Sequence, residues 1–257
     1  MFYSKNPVFS EKSIVKAEVL QENVLYPMRM FEHLYADYTD GIVTGVRLQA
    51  KDTDELLLSP GIIKYQGRLY HMEESACVEF EHNNRMNYLK IRFDNGECTS
   101  DGELFHTQVL LTNEETCFPY EMELGRFFTE AGARLIDHAQ HFEDFFIEHN
   151  HIDVRYVPYS ARTEATISPE ITVAFARDML QKQEKGEADI CFCMQCLRKE
   201  PVDREIICAY ISAKTGRPVA KMNNAQMCEA LLSILKKGRT MVAERQTYRE
   251  RRSIIVD

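Results

Sequence analysis

No window of the 257-residue chain approaches the ~20 uninterrupted apolar residues that a membrane-spanning helix needs. That shortage excludes a helical membrane span. The opening Met1-Phe2-Tyr3-Ser4-Lys5-Asn6-Pro7 lacks the charged-then-apolar order of a secretory signal, so the expected location is the cytoplasm. Positive charge is also scarce: 31 Lys plus Arg against 40 Asp plus Glu leave a net charge of −9. So acidic a chain is a poor nonspecific binder of phosphate backbones, which sets nucleic acid aside as a partner. There is no Gly-x-Ser-x-Gly elbow for a serine nucleophile and no Gly-x-x-x-x-Gly-Lys loop for phosphates. No catalytic and no cofactor-binding residue is therefore assigned. With 44% hydrophobic and 28% charged residues, the chain has the composition of a globular protein of one large or two ordinary domains.

Cysteine is the residue in surplus. The eight are Cys77, Cys98, Cys117, Cys191, Cys193, Cys196, Cys208 and Cys228. In a chain without an export signal they read as reduced core thiols rather than a disulfide framework. Cys193-Met194-Gln195-Cys196 has the gap of a zinc knuckle, and Cys191 and Cys208 lie close enough in sequence to complete four ligands. A helix over 188–198 offers the competing account, with Cys191 and Met194 toward the core and Cys193 and Cys196 on another face. No second cysteine pair of matching spacing exists, and a thioredoxin-like role lacks its parallel βαβ context. A second concentration of ligand types is His138, His141, His149 and His151 beside Asp137, Glu143, Asp144, Glu148 and Asp153. Asp137 and His141, four apart, would share a face if 135–147 is helical. A charged helix face next to a linker accounts for the same residues without a metal.

The periodicity divides the chain. From Asn23 to 39, Pro27, Met30, Phe31, Leu34 and Tyr38 recur at helical spacing, and Asp40-Gly41 then breaks the pattern. Ile42 to Leu48 is rich in β-branched residues, and from there to about 128 short segments alternate with turn chemistry. The segments are 56–58, 62–65, 69–72, 77–80, 88–93 and 105–111. Tyr120, Met122 and Leu124 continue the alternation, with a bulge expected at Gly125. Leu135 to Ile147 regains helical spacing. Beyond Asn150 come Ser168-Pro169-Glu170 as a helix start, with a helix over 169–184, then 188–198, a helix capped by Asp203, and one capped by Asn223 or Asn224. The stretch 150–168 reads either as a polar linker or, through Val154, Tyr156, Val157 and Tyr159, as a strand.

The expected fold is α+β. Residues 1–137 form a mostly β domain, an antiparallel sheet or barrel with a helix near 24–39. Residues 138–168 are helix and linker, and 169–257 are a small helical bundle with a basic tail. In the tail, from Lys236 onward, Lys237, Arg239, Arg245, Arg249, Arg251 and Arg252 gather in an otherwise acidic chain, and an acidic protein surface is their expected partner. The β-branched Ile254-Ile255-Val256 could add to the edge of another sheet.

Three segments carry a resemblance. They are the helix ending Tyr38-Thr39-Asp40-Gly41-Ile42-Val43-Thr44-Gly45, the hairpin Leu58-Ser59-Pro60-Gly61-Ile62-Ile63-Lys64-Tyr65-Gln66-Gly67-Arg68-Leu69-Tyr70, and Tyr120-Glu121-Met122-Glu123-Leu124-Gly125-Arg126 with Ala131-Gly132. Over about the first 137 residues they resemble tail-fibre, baseplate-associated and related structural proteins of phages and phage-like elements. The resemblance implies a docking domain in a multi-subunit tail or baseplate, whose partners are other protein subunits, copies of itself included. This chain departs from such proteins in having no fibre shaft or glycine-rich repeat after 137, so an adaptor or connector fits better than a receptor-binding tip. The resulting expectation is a non-enzymatic assembly protein, needing no cofactor and incorporated in a phage-like particle. The alternative is a zinc-binding regulatory module built on Cys191, Cys193, Cys196 and Cys208.

Overall fold

A computed structural model describes residues 16–99, 102–115, 117–219 and 221–237. The basic tail beyond 237 and its Ile254-Ile255-Val256 lie outside the described residues. The architecture is α+β, with a leading helix, antiparallel sheets in the first half and helices in the second.

Helix α1 runs Ala17–Leu34 and hands over to strand β1, Gly41–Gly45. Strands β2 (Leu48–Ala50), β3 (Glu55–Leu58), β4 (Gly61–Tyr65), β5 (Arg68–Met72) and β6 (Ala76–Glu79) follow as tight antiparallel pairs. They form two three-stranded sheets, ordered β1-β4-β5 and β2-β3-β6. A long strand β7 (Met86–Phe93) centres a third sheet. Between it and its hairpin partner lie β8 (Glu97–Thr99) and β9 (Gly102–Leu104), which pair with each other; β10 (Thr107–Thr112) then returns along β7. Strand β11 (Glu121–Phe128) flanks the other side of β7, and β12 (Ile152–Asp153) closes the order β10-β7-β11-β12.

The turn chemistry explains the pairing. Gln66 and Gly67 both take positive φ, 48° and 78°, as the two-residue hairpin between β4 and β5 requires. The glycines of the quoted motifs meet in space. Gly45 pairs with Gly61 across β1 and β4, and a Cβ on Gly45 would sit 2.0 Å from the Pro60 carbonyl oxygen. The register of β11 against β7 slips between Glu123 and Gly125, which is the expected bulge. A Cβ at Gly125 would meet the Leu48 side chain at 2.7 Å, so the bulge lets another sheet pack closely.

The second half holds α2 (Pro169–Leu180), α3 (Glu187–Cys196), α4 (Arg204–Thr215) and a helix α5 described over 224–237. Ser168 caps α2, its hydroxyl accepting from the Glu170 N–H at 3.2 Å, with Pro169 at the first position. Gly216 ends α4 in the left-handed conformation, φ 69°. Asn223 is the α5 cap: its side-chain oxygen accepts from the Gln226 N–H at 2.8 Å, and the Gln226 side chain accepts from the Asn223 N–H at 2.9 Å. Asn224 is buried instead and donates to the carbonyls of Val157 (3.0 Å) and Thr166 (3.1 Å).

One expectation is corrected here. Residues 135–147 are not an α-helix. Ile136 forms a bridge with His151, and only Phe142–Phe146 coils, as a 3-10 helix. The Asp144 carboxylate accepts the Gln140 and His141 N–H groups, both at 2.8 Å, which starts a helical turn late and keeps it short. The segment after Asn150, open between linker and strand in the sequence, carries the short strand β12 and packs most of its apolar residues inward. His151, Ile152, Val157, Tyr159, Ala161 and Ile167 are buried, and Tyr159 bridges both Ile42 and Thr166.

Two apolar clusters result. One gathers Ile42, Leu56, Leu58, Leu89, Leu124 and Phe127 from the sheets, and the other Phe142, Ile171, Phe175, Phe192, Ile207 and Leu231 from the helices. Val154 packs against both.

Candidate docking surface

Helix α1 is built as an amphipathic rod. At 100° per residue, Leu20, Val24, Pro27, Met28, Met30, Phe31 and Leu34 share one half of its circumference, while Glu18, Glu22, Arg29, Glu32 and His33 occupy the other. A helix with such a stripe ordinarily buries it, yet no residue of α1 is buried. Leu20, Val24, Met28, Met30, Phe31 and Leu34 are 54–64% exposed. At 1.5 Å per residue, 18 residues make a rod roughly 27 Å long.

The base of the rod is tied down. Lys64, on β4 and 5% exposed, donates from its ammonium to the carbonyls of Tyr35, Ala36 (3.1 Å) and Tyr38 (2.5 Å) just past the end of α1. A cation at carbonyls left over from a helix C-terminus is doubly favoured, by hydrogen bonding and by the helix dipole. Thr39 continues the anchorage: its N–H donates to the Ala161 carbonyl (2.8 Å), and its own carbonyl accepts the Ser160 hydroxyl (2.5 Å). The tyrosine rings of residues 35 and 38 meet edge to face, centroids 5.2 Å apart. The chain is thus fixed to the sheet from Tyr35 onward, while no residue of α1 before it is buried.

The cysteines flagged in the sequence do not converge. In α3, Cys193 and Cys196 are fully buried, Cys191 is exposed, and Cys208 on α4 is half-buried. Burial pushes the Cys193 thiol up to about 11 and the Cys196 thiol up to about 12, the neutral, unreactive form of a core residue. This reverses the expected orientation of the helix, for Cys191 and Met194 were to face the core and instead face out, Met194 at 61% exposed. The reason is the partner. Phe192 stacks on Tyr210 of α4, centroids 4.1 Å apart, and the buried Asp189 carboxylate accepts the Tyr210 hydroxyl (2.6 Å), the Lys214 ammonium (2.9 Å) and the Gly186 N–H (2.9 Å). These contacts turn the Asp189, Phe192, Cys193 and Cys196 side of α3 inward.

The histidines are likewise spread out. His138 pairs with Asp137 (3.2 Å), His141 with Asp178 (3.1 Å) and His149 with Glu130 (3.1 Å). Asp137 and His141, expected on one helix face, point to different partners, and the Asp137 carboxylate also accepts the Ala50 N–H at 2.9 Å. Among the described residues no group of three or more His, Cys, Asp or Glu could hold a metal ion.

A cleft of about 340 Å³ lies between the β1–β2 region and the start of α2. The Arg47–Glu170 ion pair (3.0 Å) spans its rim, and His151, Val157 and Val173 contribute to its wall. His151 is buried, neither ring nitrogen is placed within hydrogen-bonding geometry of a partner, and burial pulls its pKa below the ordinary value. Among the described residues no helix is long and apolar enough to cross a membrane.

No protein family and no curated protein matches the chain. Two solved structures are similar in shape. One, described as the crystal structure of TssK, has a TM-score of 0.38 at 10% identity, over 91% of this chain and 69% of that one. The other, from a type VI secretion system TssK-TssF-TssG baseplate subcomplex determined by cryo-electron microscopy, has a TM-score of 0.43 at 8% identity, over 92% of this chain and 99% of that one.

Proposed function

We propose that the protein is a non-enzymatic assembly component, an adaptor or connector of a phage or phage-like tail or baseplate, and that it works by docking to other protein subunits. The observation that carries the reading is α1, an 18-residue helix whose apolar half is exposed along its whole length while its base is held by a buried lysine. Helical stability in proteins comes mostly from packing of an amphipathic face, and an exposed apolar stripe of this length is the signature of a surface that is covered in use. The motifs of the first 137 residues point the same way. We further assign 1–137 as the docking domain, 138–168 as the connecting region and 169–257 as the helical module presented beside it.

The test is co-expression with the products of the adjacent genes, since tail-assembly genes cluster. The expected result is a stable complex with at least one tail or baseplate subunit, disrupted by Phe31→Glu in α1. A monomer that binds none of them would overturn the reading.

A further inference from the structure

Resting on that docking role, we propose that the apolar face of α1 packs against α1 of further copies of the same chain, so that the rods form a short coiled coil at the N-terminal side of an oligomer. The spacing is the first reason. Leu20, Val24, Pro27, Phe31 and Leu34 follow one another at intervals of four, three, four and three, the repeat that keeps one seam turned toward a neighbouring helix over several turns. The second reason is charge. The positions bordering that seam are Gln21, Asn23, Met28 and Met30, none of them charged. Identical helices brought together must place like against like, and here they meet amide and thioether groups rather than carboxylates. The acidic and basic residues of the helix, Glu18, Glu22, Arg29, Glu32 and His33, all lie on the far side. A heterologous partner would use charges beside the seam to select its mate, and this helix has none to offer.

Two other occupants fit less well. A lipid surface is attracted by lysine and arginine on the polar face, whereas the polar face here has Glu18, Glu22 and Glu32 against Arg29. The described body of the chain leaves this face open as well: no residue of α1 is buried, and Lys64 holds the helix at its C-terminal end. Pro27 lies on the seam and has no N–H to give, so the helix ladder is interrupted at mid-length. The contact therefore falls into two patches, Leu20 with Val24 and Phe31 with Leu34. Methionine at the bordering positions widens the stripe, which suits more than one neighbour per helix.

The test is the solution mass of the full-length protein across a concentration series, by sedimentation equilibrium. The wild type is expected at twice the 29.9 kDa chain mass or more. Phe31→Glu combined with Leu20→Glu is expected to return it to a single chain, and Glu32→Lys on the opposite face to leave the oligomer unchanged. All three residues are exposed, so the variants keep the fold, checked by far-ultraviolet circular dichroism. A wild-type monomer, or an oligomer indifferent to Phe31→Glu with Leu20→Glu, overturns the proposal. A monomer that still captures an adjacent gene product through α1 overturns self-association and leaves the docking role standing, while a monomer that captures none overturns both. Sedimentation with phosphatidylcholine–phosphatidylglycerol vesicles, lost in the same double variant, would also overturn it in favour of a membrane surface.

Discussion

Replacing Lys64 by methionine tests the anchorage on which the docking surface depends. Methionine keeps most of the buried aliphatic stem and removes the ammonium. The ammonium makes three bonds to carbonyls, at Tyr35, Ala36 and Tyr38. Hydrogen bonds to a charged group contribute about 1.5–3 kcal/mol each, but a 5% exposed lysine also surrenders its hydration, which costs several kcal/mol and is recovered in the variant. Three carbonyls are left without their donor, each at about 1 kcal/mol or more. The balance is a loss of about 2–4 kcal/mol, a large part of the ~5–15 kcal/mol by which domains are stable. In urea, with a slope of about 1–3 kcal/mol per molar, the unfolding midpoint falls by about 1 M or more. Amide exchange in α1 and over 35–39 is expected to accelerate together, because the helix loses its fixed end before the sheet loses its core. A midpoint and an exchange pattern both equal to wild type would refute the argument that Lys64 holds α1 to the body.

Two further outcomes follow from the same geometry. Gly45→Ala is expected to destabilise the protein by about 2 kcal/mol or more, read by thermal unfolding, because φ is +69° there and the new Cβ would collide with the Pro60 carbonyl oxygen across β1 and β4. Asp189→Ala is expected to cost about 3 kcal/mol, toward the low end for a broken buried pair because Lys214 is partly hydrated. In the wild type, burial works to raise the Asp189 carboxyl, but hydrogen bonds from Tyr210, Lys214 and the Gly186 N–H outweigh it and hold the pKa below the ordinary carboxylate value. Its folded pKa is thus below the unfolded one, so its stabilisation is complete above about pH 4 and is lost as pH falls through the folded value. Acid titration of stability should accordingly be flatter in Asp189→Ala, and parallel curves would refute this.

Much of the fold was legible because it rests on local chemistry. The strands at 55–58, 61–65, 68–72, 86–93 and 121–128 follow from period-two alternation between turn residues, and the α2 cap from Ser168-Pro169-Glu170. The failures lie where local signals are even-handed. In α3, apolar residues surround the helix: Ile190, Cys191, Met194 and Leu197 on one side, Phe192, Cys193 and Cys196 on the other. Nothing in that segment selects between them, and Tyr210, fourteen or more residues downstream of all but one of these positions, makes the choice through its stack on Phe192 and its bond to Asp189. Over 135–147 the spacing was helical, but the Ile136 bridge to His151 and the buried carboxylate of Asp178, which accepts the Phe142 N–H at 2.7 Å, hold the chain in another path.

The candidate surface divides in the same way. That a helix lies in this region, expected near 24–39 and found over Ala17–Leu34, that one half of it is apolar and that its charges lie opposite are properties of the amino-acid order, since periodicity is a relation of a segment to itself. Whether such a stripe is core or surface is a relation to everything else. Lys64, thirty residues further along, pins the end of the helix where no residue of the stripe is buried, and only the folded arrangement of β4 against Tyr35, Ala36 and Tyr38 places it there.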